Sequence, residues 1–307
     1  MNRKGNAPER ENAAPGTLFI LSTPIGNLED LSARARRTLS EVDLVACEDT
    51  RRTRALLTHL GIQKPLVSYH KDSPRKREED ILGALLAGKH VALVSDAGTP
   101  LLQDPGGELV RRALAEGIRV VPVPGPSAAL AAWVASGFAG GPFLFYGFLP
   151  RRKGERRRVL ADLRDFPYPM IFYEAPHRLR ATLADLLAVF GDRPASLARE
   201  LTKMHEEILR GSLEKLARWA EAVDVRGEFT LVVAGAEEAK VREGGPPQPS
   251  SEERLAEALA WMDQRTKEGV GKKDAAKEAA RRFSLPAREI YRRFHERGSE
   301  ERESPTF

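Results

Sequence analysis

Residues 93–100, which read LVSDAGTP, join an apolar run to a small polar loop that contains glycine and proline. The same kind of junction occurs at 18–27 (LFILSTPIGN) and again at 120–128 (VVPVPGPSA). Ligands of open α/β sheets bind outside the carboxyl ends of strands, and short side chains there let a ligand approach the backbone. Three such junctions in one segment predict a single shared ligand cleft.

Residues 17–123 alternate apolar strand patterns with amphipathic helical patterns. This alternation predicts an α/β fold with a mostly parallel sheet covered on both faces. The glycine-rich fingerprint of dinucleotide-binding folds is absent, because the first loop holds only Gly26, and a nicotinamide enzyme is therefore disfavoured. The predicted strands are 18–21, 44–46, 66–69, 91–94 and 120–123, and the predicted helices are about 30–39, 50–60, 77–86 and 108–115.

Three prolines, at 122, 124 and 126, interrupt this pattern and mark a predicted domain boundary. A chain of 307 residues is also too long for one typical core. We therefore predict an N-terminal α/β domain, 17–123, and a second α/β domain, 124–238. In the second domain the predicted strands are 143–148, 170–173, 196–198 and 229–233, and the predicted helices are about 127–135, 156–163, 179–190 and 213–220.

The C-terminal part of the chain changes in composition. Between 264 and 297 it has 11 basic and 5 acidic residues and no strand pattern. A helical pattern over 274–283, the turn Ser284-Leu285-Pro286 and a second helix through Phe294 predict a helix-turn-helix-like module. A helical hairpin that closes the domain or contacts a second subunit fits this spacing equally well. The remaining predicted segments are a disordered tail (1–16), a linker (239–250), the helical RNA-binding-like module (251–297) and a tail (298–307).

Charge and cysteine content restrict the class of protein. The net charge of +5 and the pI of about 9.3 favour an anionic partner. A single cysteine, Cys47, excludes an intramolecular disulfide and a cysteine-based metal cage, and it fits the reducing cytosol. We expect it to be a small buried residue at the end of a strand. Residues 1–16 lack the apolar core of a signal peptide and no later segment approaches membrane-spanning length, so we expect a cytoplasmic protein without a membrane partner.

The segment 48–54, EDTRRTR, places two carboxylates and three arginines where a strand gives way to a helix. Helix capping explains Asp49 or Thr50, because their side-chain oxygens accept the first N–H groups of a helix. The arginines need another reason, since the helix dipole disfavours cations at this end. We therefore expect Arg51 and Arg52 to bind an anionic substrate.

Two further segments follow predicted strands. The segment 150–158, PRRKGERRR, has six basic residues and one acidic residue, which favours phosphate contacts over a merely solvated loop. In 173–178, YEAPHR, we interpret His177 as a hydrogen-bonded structural residue rather than a base. No Glu-His spacing indicates a metal site and no Ser/His/Asp order stands out, so the predicted chemistry is metal-free and uses a bound cosubstrate.

Taken together, these motifs resemble the tetrapyrrole methylase superfamily, the class III S-adenosylmethionine-dependent methyltransferases. The resemblance runs in order over about 18–235. It points to the branch that methylates RNA, because many small-molecule members carry Gly-x-Gly-x-Gly-Asp in the first loop, where this chain has Ser22 to Asn27. The motifs that carry it are 22–28 (STPIGNL), 48–51 (EDTR), 93–100, 124–127 (PGPS), 147–150 (GFLP), 173–174 with 177–178, 199–203 (RELTK) and 227–228 (GE).

The resemblance implies two α/β domains, usually in a homodimer, that bind S-adenosylmethionine in the cleft between them. It implies transfer of a methyl group to the ribose 2′-oxygen of a cytidine in the decoding region of 16S rRNA, with the small ribosomal subunit as partner. By position in the motifs, the implied cosubstrate-binding residues are Thr23, Pro24, Gly26, Ser95, Asp96, Ala97, Gly98, Pro100, Ser127, Ala128, Tyr173, Glu174, Ala175, Gly227, Glu228 and Thr230.

Methyl transfer to a ribose oxygen requires precise positioning and removal of the hydroxyl proton. The candidate bases are Asp49, Glu48 and His70; we favour Asp49, with Arg51 holding a neighbouring phosphate. After His70 the sequence differs from the one usual in the family, so the resemblance assigns no substrate-binding residues to the loop that follows His70. The residues expected to contact RNA phosphates are Arg51, Arg52, Arg151, Arg152, Arg156 and Arg157, together with the basic C-terminal helices.

Two other functions stay open. A methyltransferase of a small tetrapyrrole would use the same fold, although the two basic clusters and the appended helices argue against it. A non-enzymatic nucleic-acid-binding protein would use the helix-turn-helix pattern, but that function leaves the three bare strand-end loops unexplained.

Overall fold

The first sheet consists of five parallel strands. The structure is a computed structural model, and it describes residues 14–236, 251–283 and 285–303. The strands are β1 (Thr17–Leu21), β2 (Leu44–Cys47), β3 (Leu66–Ser68), β4 (Val91–Val94) and β5 (Arg119–Val123). They follow the order β3-β2-β4-β1-β5. Because the strands are parallel, the ligand-loop motifs after β1, β4 and β5 all leave the same edge of the sheet.

Helices cover both faces of this sheet. They are α1 (Ala33–Glu41), α2 (Thr50–His59), α3 (Arg75–Leu86) and α4 (Gly107–Ala115). Val91 and Leu93 of β4 pack against α3 and α4, whereas Ala92 and Val94 pack against α1 and α2. Alternate residues of a strand point to opposite faces, so β4 is apolar throughout. The predicted doubly covered parallel sheet is confirmed.

The second sheet is mixed rather than parallel. Its strands are β6 (Leu144–Phe148), β7 (Met170–Glu174), β8 (Pro194–Arg199), β9 (Glu207–Ser212) and β10 (Phe229–Val233). The order is β6-β7-β10-β8-β9, and only β6 and β7 pair in parallel. The edge strand β9 is not among the predicted strands, because it is polar and none of its residues is fully buried. The helices beside this sheet are α5 (Ala128–Ser136), α6 (Lys153–Asp162), α7 (Pro176–Phe190) and α8 (Leu213–Ala222).

Both sheets belong to one compact unit. Ile25, from the loop after β1, packs with Trp133 of α5 and with Ile171 and Val232 of the second sheet. The predicted boundary between 123 and 124 falls at the change from the first sheet to the second.

The second compact unit contains three helices in the described ranges. They are α9 (Ser251–Lys267), α10 (Lys272–Phe283) and α11 (Ala287–Glu303). Small and apolar side chains form its core, among them Ala258, Met262, Ala275 and Ile290. The helices α10 and α11 flank the predicted turn, of which Ser284 lies outside the described residues. The segment predicted as a tail from 298 continues α11 as far as Glu303, and it is rich in Glu and Arg, which favour a helix.

Other predicted segments fall largely outside the described residues, namely the linker 239–250 and residues 1–13. Within the predicted N-terminal tail, Gly16 donates its N–H to the Leu85 carbonyl at 2.8 Å. Cys47 ends β2 as predicted; it is fully buried, and burial raises the pKa of its thiol. None of the helices in the described ranges is long and apolar enough to cross a membrane.

Candidate active site

A cavity of about 330 Å³ opens between the two sheets of the first compact unit. One side of the cavity is formed by the loop 96–104, which follows β4, and we call this loop the first wall. The second wall consists of residues 173–176, which follow β7, together with 228–230 at the start of β10. The first turn of α5 and the side chains of Ile25 and Leu201 complete the lining.

Most of the implied cosubstrate residues line this cavity. Those that do so are Asp96, Ala97, Gly98, Ser127, Ala128, Tyr173, Glu174, Ala175, Glu228 and Thr230. Six others are not among the lining residues: Thr23, Pro24, Gly26, Ser95, Pro100 and Gly227. The structure also adds lining residues that the sequence analysis did not propose for the cosubstrate: Ile25, Arg52, Thr99, Leu102, Gln103, Asp104, Phe148, Pro176, Leu201 and Phe229.

Thr23 and Ser95 shape the first wall instead of lining it. The backbones of Thr23 and Gly98 exchange two hydrogen bonds, at 2.9 and 3.0 Å, and the Thr23 hydroxyl donates to the Ser95 carbonyl at 3.1 Å. Gly98 has φ +83°, a left-handed conformation that glycine adopts without strain. A Cβ at this position would lie 3.2 Å from the Ile25 side chain. The loop therefore packs closely against Ile25 at Gly98, and the glycine leaves the backbone open to the cavity.

The first wall continues through a strained segment. Leu101 and Gln103 have φ +73° and +74°, which is uncommon for residues other than glycine. The Gln103 side-chain amide donates to the Tyr146 carbonyl of β6 at 3.3 Å. A Cβ at Gly147 would lie 2.2 Å from Gln103, so glycine is required where the loop meets the second sheet. Nothing in the sequence 101–103, LLQ, indicates this backbone conformation.

Ion pairs and hydrogen bonds fix the second wall. Glu174 is only 2% exposed; it accepts the Thr182 hydroxyl at 2.5 Å, and it lies 3.2 Å from the Arg178 guanidinium. Arg178 also donates to the Leu149 carbonyl at 2.6 Å. His177 is exposed and is not among the residues that line the cavity. The charged motif YEAPHR thus holds the start of α7 against β6.

Asp49, the residue favoured as the base in the sequence analysis, is the N-cap of α2. Its carboxylate accepts the backbone N–H of Arg51 at 2.8 Å and the Arg51 guanidinium at 3.1 and 2.8 Å. These hydrogen bonds lower the pKa of Asp49 to about 2. A carboxylate held so firmly in its ionised form is a weak proton acceptor. Asp49 is also not among the residues that line the cavity.

Glu48 and His70, the other two candidate bases, interact electrostatically with each other. Burial is the largest cause that raises the pKa of Glu48, and the charge of Asp96 acts in the same direction, whereas His70 opposes it. Neither Glu48 nor His70 is among the residues that line the cavity. Asp96 itself accepts the Asp49 N–H at 3.0 Å and lies 3.6 Å from Arg52.

Asp104, which the sequence analysis missed, lines the cavity at the end of the strained segment. Burial and the negative charge of Glu48 raise the pKa of this carboxyl to about 6, and Asp96 acts in the same direction. The sequence DPGG around it is typical of a helix start, and it gave no sign of a functional carboxylate.

The predicted phosphate contacts separate into buried and exposed arginines. Arg156, which is predicted to contact phosphate, is 5% exposed and instead donates to Asp185 at 2.8 and 2.6 Å. Arg157 binds the same carboxylate at 2.6 Å and is half-exposed. Arg51, Arg52 and Arg152 have side chains that are 87%, 65% and 85% exposed, and Arg151 is also exposed.

Within the described ranges, no group of three or more His, Cys, Asp or Glu residues has the placement of a metal site.

The chain is similar to known methyltransferases. The sequence profile of the Tetrapyrrole (Corrin/Porphyrin) Methylases matches residues 17–217. The ribosomal RNA small subunit methyltransferase I of Halalkalibacterium halodurans is 44% identical over 284 residues, covering 92% of this chain and 95% of that protein. The protein of the same name from Bacillus subtilis is 43% identical over 283 residues, covering 91% and 94%.

A solved structure with the same fold is uroporphyrin-III C-methyl transferase from Thermus thermophilus, complexed with S-adenyl homocysteine. The TM-score is 0.53 at 22% sequence identity, and the match covers 72% of this chain and 98% of that chain. At this identity the likeness shows that the two proteins share a fold. The predicted fold class is thereby confirmed.

Proposed function

Because the chain belongs to the tetrapyrrole methylase family, we propose that it transfers a methyl group from S-adenosylmethionine to RNA of the small ribosomal subunit. The observation that carries the proposal is the cavity between the two sheets, whose bare first wall faces a second wall of fixed geometry. The names of the two relatives supply the class of substrate. The exposed arginines Arg51, Arg52, Arg151 and Arg152 suit contacts with RNA phosphates.

The cavity fits the proposed cosubstrate in size and in chemistry. Pockets for small ligands have volumes of about 300–1,000 Å³, and this cavity measures about 330 Å³. The rings of Phe148 and Tyr173, with centroids 5.5 Å apart, give an aromatic face of the kind that stacks with a nucleobase. Gly98 lets the backbone approach the ligand, and the Ser127 hydroxyl lies buried in the lining. When bound here, S-adenosylmethionine supplies an activated methyl group.

The finer specificity also belongs to this proposal. We place the methyl group on the ribose 2′-oxygen of a cytidine in the decoding region of 16S rRNA, as the sequence motifs imply. The site residues hold the two reactants so that the hydroxyl oxygen and the methyl carbon meet in line, since positioning supplies up to about 7–11 kcal/mol of the barrier in such reactions. We further propose a homodimer located in the cytoplasm, and light scattering of the purified protein tests the dimer.

The test is a methylation assay with three substrates. Purified protein and radiolabelled S-adenosylmethionine are incubated with small ribosomal subunits that lack the modification, with deproteinised 16S rRNA, or with uroporphyrinogen III. We expect label only in RNA, and nuclease digestion followed by mass spectrometry should place it on the ribose of one cytidine. Label in the tetrapyrrole alone would refute the RNA substrate, and label on a base would refute the 2′-oxygen.

A further inference from the structure

Three of the four carboxylates that line the cavity are neutralised by a basic side chain. The pairs are Asp96 with Arg52 at 3.6 Å, Glu174 with Arg178 at 3.2 Å and Glu228 with Lys203 at 3.0 Å. Among the described residues, Asp104 forms no ion pair. A partly buried carboxylate without a cation costs stability, because burial penalises its charge. Its presence in the lining therefore calls for a chemical reason.

The surroundings of Asp104 tune it for proton exchange. Glu48 and Asp96 act on it from the first sheet, and Tyr173 of β7 interacts with it from the second. Burial and the charge of Glu48 hold its pKa at about 6. A proton acceptor works best when its pKa lies near the operating pH, since it is then ionised and still basic.

The backbone before Asp104 places the carboxylate. Leu101 and Gln103 hold left-handed conformations, and the bond from the Gln103 amide to Tyr146 anchors the segment to β6. Strained backbone persists only where the surrounding structure enforces it, and such strain concentrates at active sites. The position of Asp104 is therefore set from both sheets.

We propose that Asp104 is the general base of methyl transfer, an inference that rests on the proposed function. Its carboxylate accepts the proton of the attacking hydroxyl while the hydroxyl oxygen forms a bond to the methyl carbon. The bond between that carbon and the sulfur breaks, and its electron pair stays on the sulfur. The sulfonium charge and the carboxylate charge disappear together, which leaves a neutral thioether and a protonated Asp104.

The other candidate bases fit this role less well. The Asp49 carboxylate caps α2 and is held by Arg51. Glu48 and His70 are not among the lining residues. In this mechanism the charge of Glu48 keeps Asp104 basic, and Asp96 and Arg52 stabilise the loop around it.

The test compares Asp104→Asn with the wild type in single-turnover methylation of small subunits between pH 5 and 8. Asn keeps the shape of the side chain but cannot accept the proton, so we expect the rate to fall by about 10²–10⁴-fold. The wild-type rate should rise about tenfold per pH unit below pH 6 and level off above it, and the variant should lack this dependence. Asp104→Ser serves as a second variant. The exposed Asp165→Asn is the matched control, and it should behave as the wild type.

Calorimetric binding of S-adenosylmethionine provides a second readout, and its affinity for the Asn variant should stay within about threefold of the wild type. A tenfold loss of affinity would assign Asp104 to cosubstrate binding and overturn the proposal. So would an Asn variant with an unchanged rate or an unchanged pH profile. If the wild type transfers no methyl group to small-subunit RNA, the proposed function fails as well; if only the Asp104 variants contradict expectation, the function stands and the base is wrong.

Discussion

The two walls of the cavity differ in how their charges and their backbone are held. The first wall has left-handed residues and one carboxylate without a cation, Asp104. In the second wall both carboxylates, Glu174 and Glu228, are paired with basic side chains, and α6 and α7 behind it share the buried pair Arg156–Asp185. A carboxylate that accepts a proton during catalysis must not already be neutralised by a neighbouring basic side chain. The comparison therefore assigns reactivity to the first wall and architectural support to the second.

The largest expected effect is a loss of stability when the buried Arg156–Asp185 pair behind the second wall is broken. Arg156→Met removes the buried partner that donates two hydrogen bonds to the buried Asp185 carboxylate, so we expect the free energy of unfolding to fall by about 3–5 kcal/mol. Urea unfolding measures this loss. The control Arg157→Met removes the half-exposed partner of the same carboxylate and should cost about 1 kcal/mol or less. Equal losses in the two variants would contradict the special role of the buried pair.

A smaller effect is expected from the narrowest point of the first wall. Gly98→Ala forces a side chain into a left-handed conformation at a cost of about 1–2 kcal/mol, and the new Cβ would press on Ile25. We expect the affinity for S-adenosylmethionine to fall by about tenfold, as measured by calorimetry. Gly83→Ala is the matched control, because this helical glycine has open space around it and should gain about 0.5–1 kcal/mol of stability. Unchanged binding in the Gly98 variant would show that the ligand avoids this loop.

The smallest expected effect is a gain in the free energy of unfolding rather than a loss. The pKa of Asp104 is about 6 in the folded protein and 3.8 for an ordinary aspartate, so the ionised form is penalised in the folded state above pH 6. Asp104→Asn should therefore raise the free energy of unfolding at pH 7 by about 1 kcal/mol, since partial exposure screens the penalty. The gain should shrink as the pH falls through 6 and vanish below about 4, where the wild-type carboxyl is protonated in both states. A variant less stable than the wild type at pH 7 would refute this account.

Much of the fold was predictable because its signals are local. The strands β1, β4 and β10 are apolar runs, and the bare loops after β1, β4 and β5 follow from short side chains next to glycine and proline. The polar edge strand β9 lacks such a run. The loop 95–100 is predicted to bind a ligand for the same reason; of its five implied cosubstrate residues, Asp96, Ala97 and Gly98 line the cavity, whereas Ser95 and Pro100 do not.

The features that could not be predicted depend on interactions between side chains that are distant in sequence. Arg156 was predicted to bind phosphate because its neighbours are basic, but its partner Asp185 lies 29 residues away on another helix. Asp104 was overlooked because its character depends on Glu48, which a different strand brings beside it. A single sequence shows which residues are charged, whereas the fold decides which of these charges are already paired.

The burial of Cys47 gives this protein a practical property for spectroscopy. The chain contains no second cysteine, and the one thiol is inaccessible and protonated at neutral pH. A cysteine introduced at Met204, which is 94% exposed and outside the cavity lining, would therefore be the sole site for a maleimide dye or a nitroxide label. Because Met204 follows Lys203, the partner of Glu228, the label would report cosubstrate binding next to the second wall in an otherwise native chain.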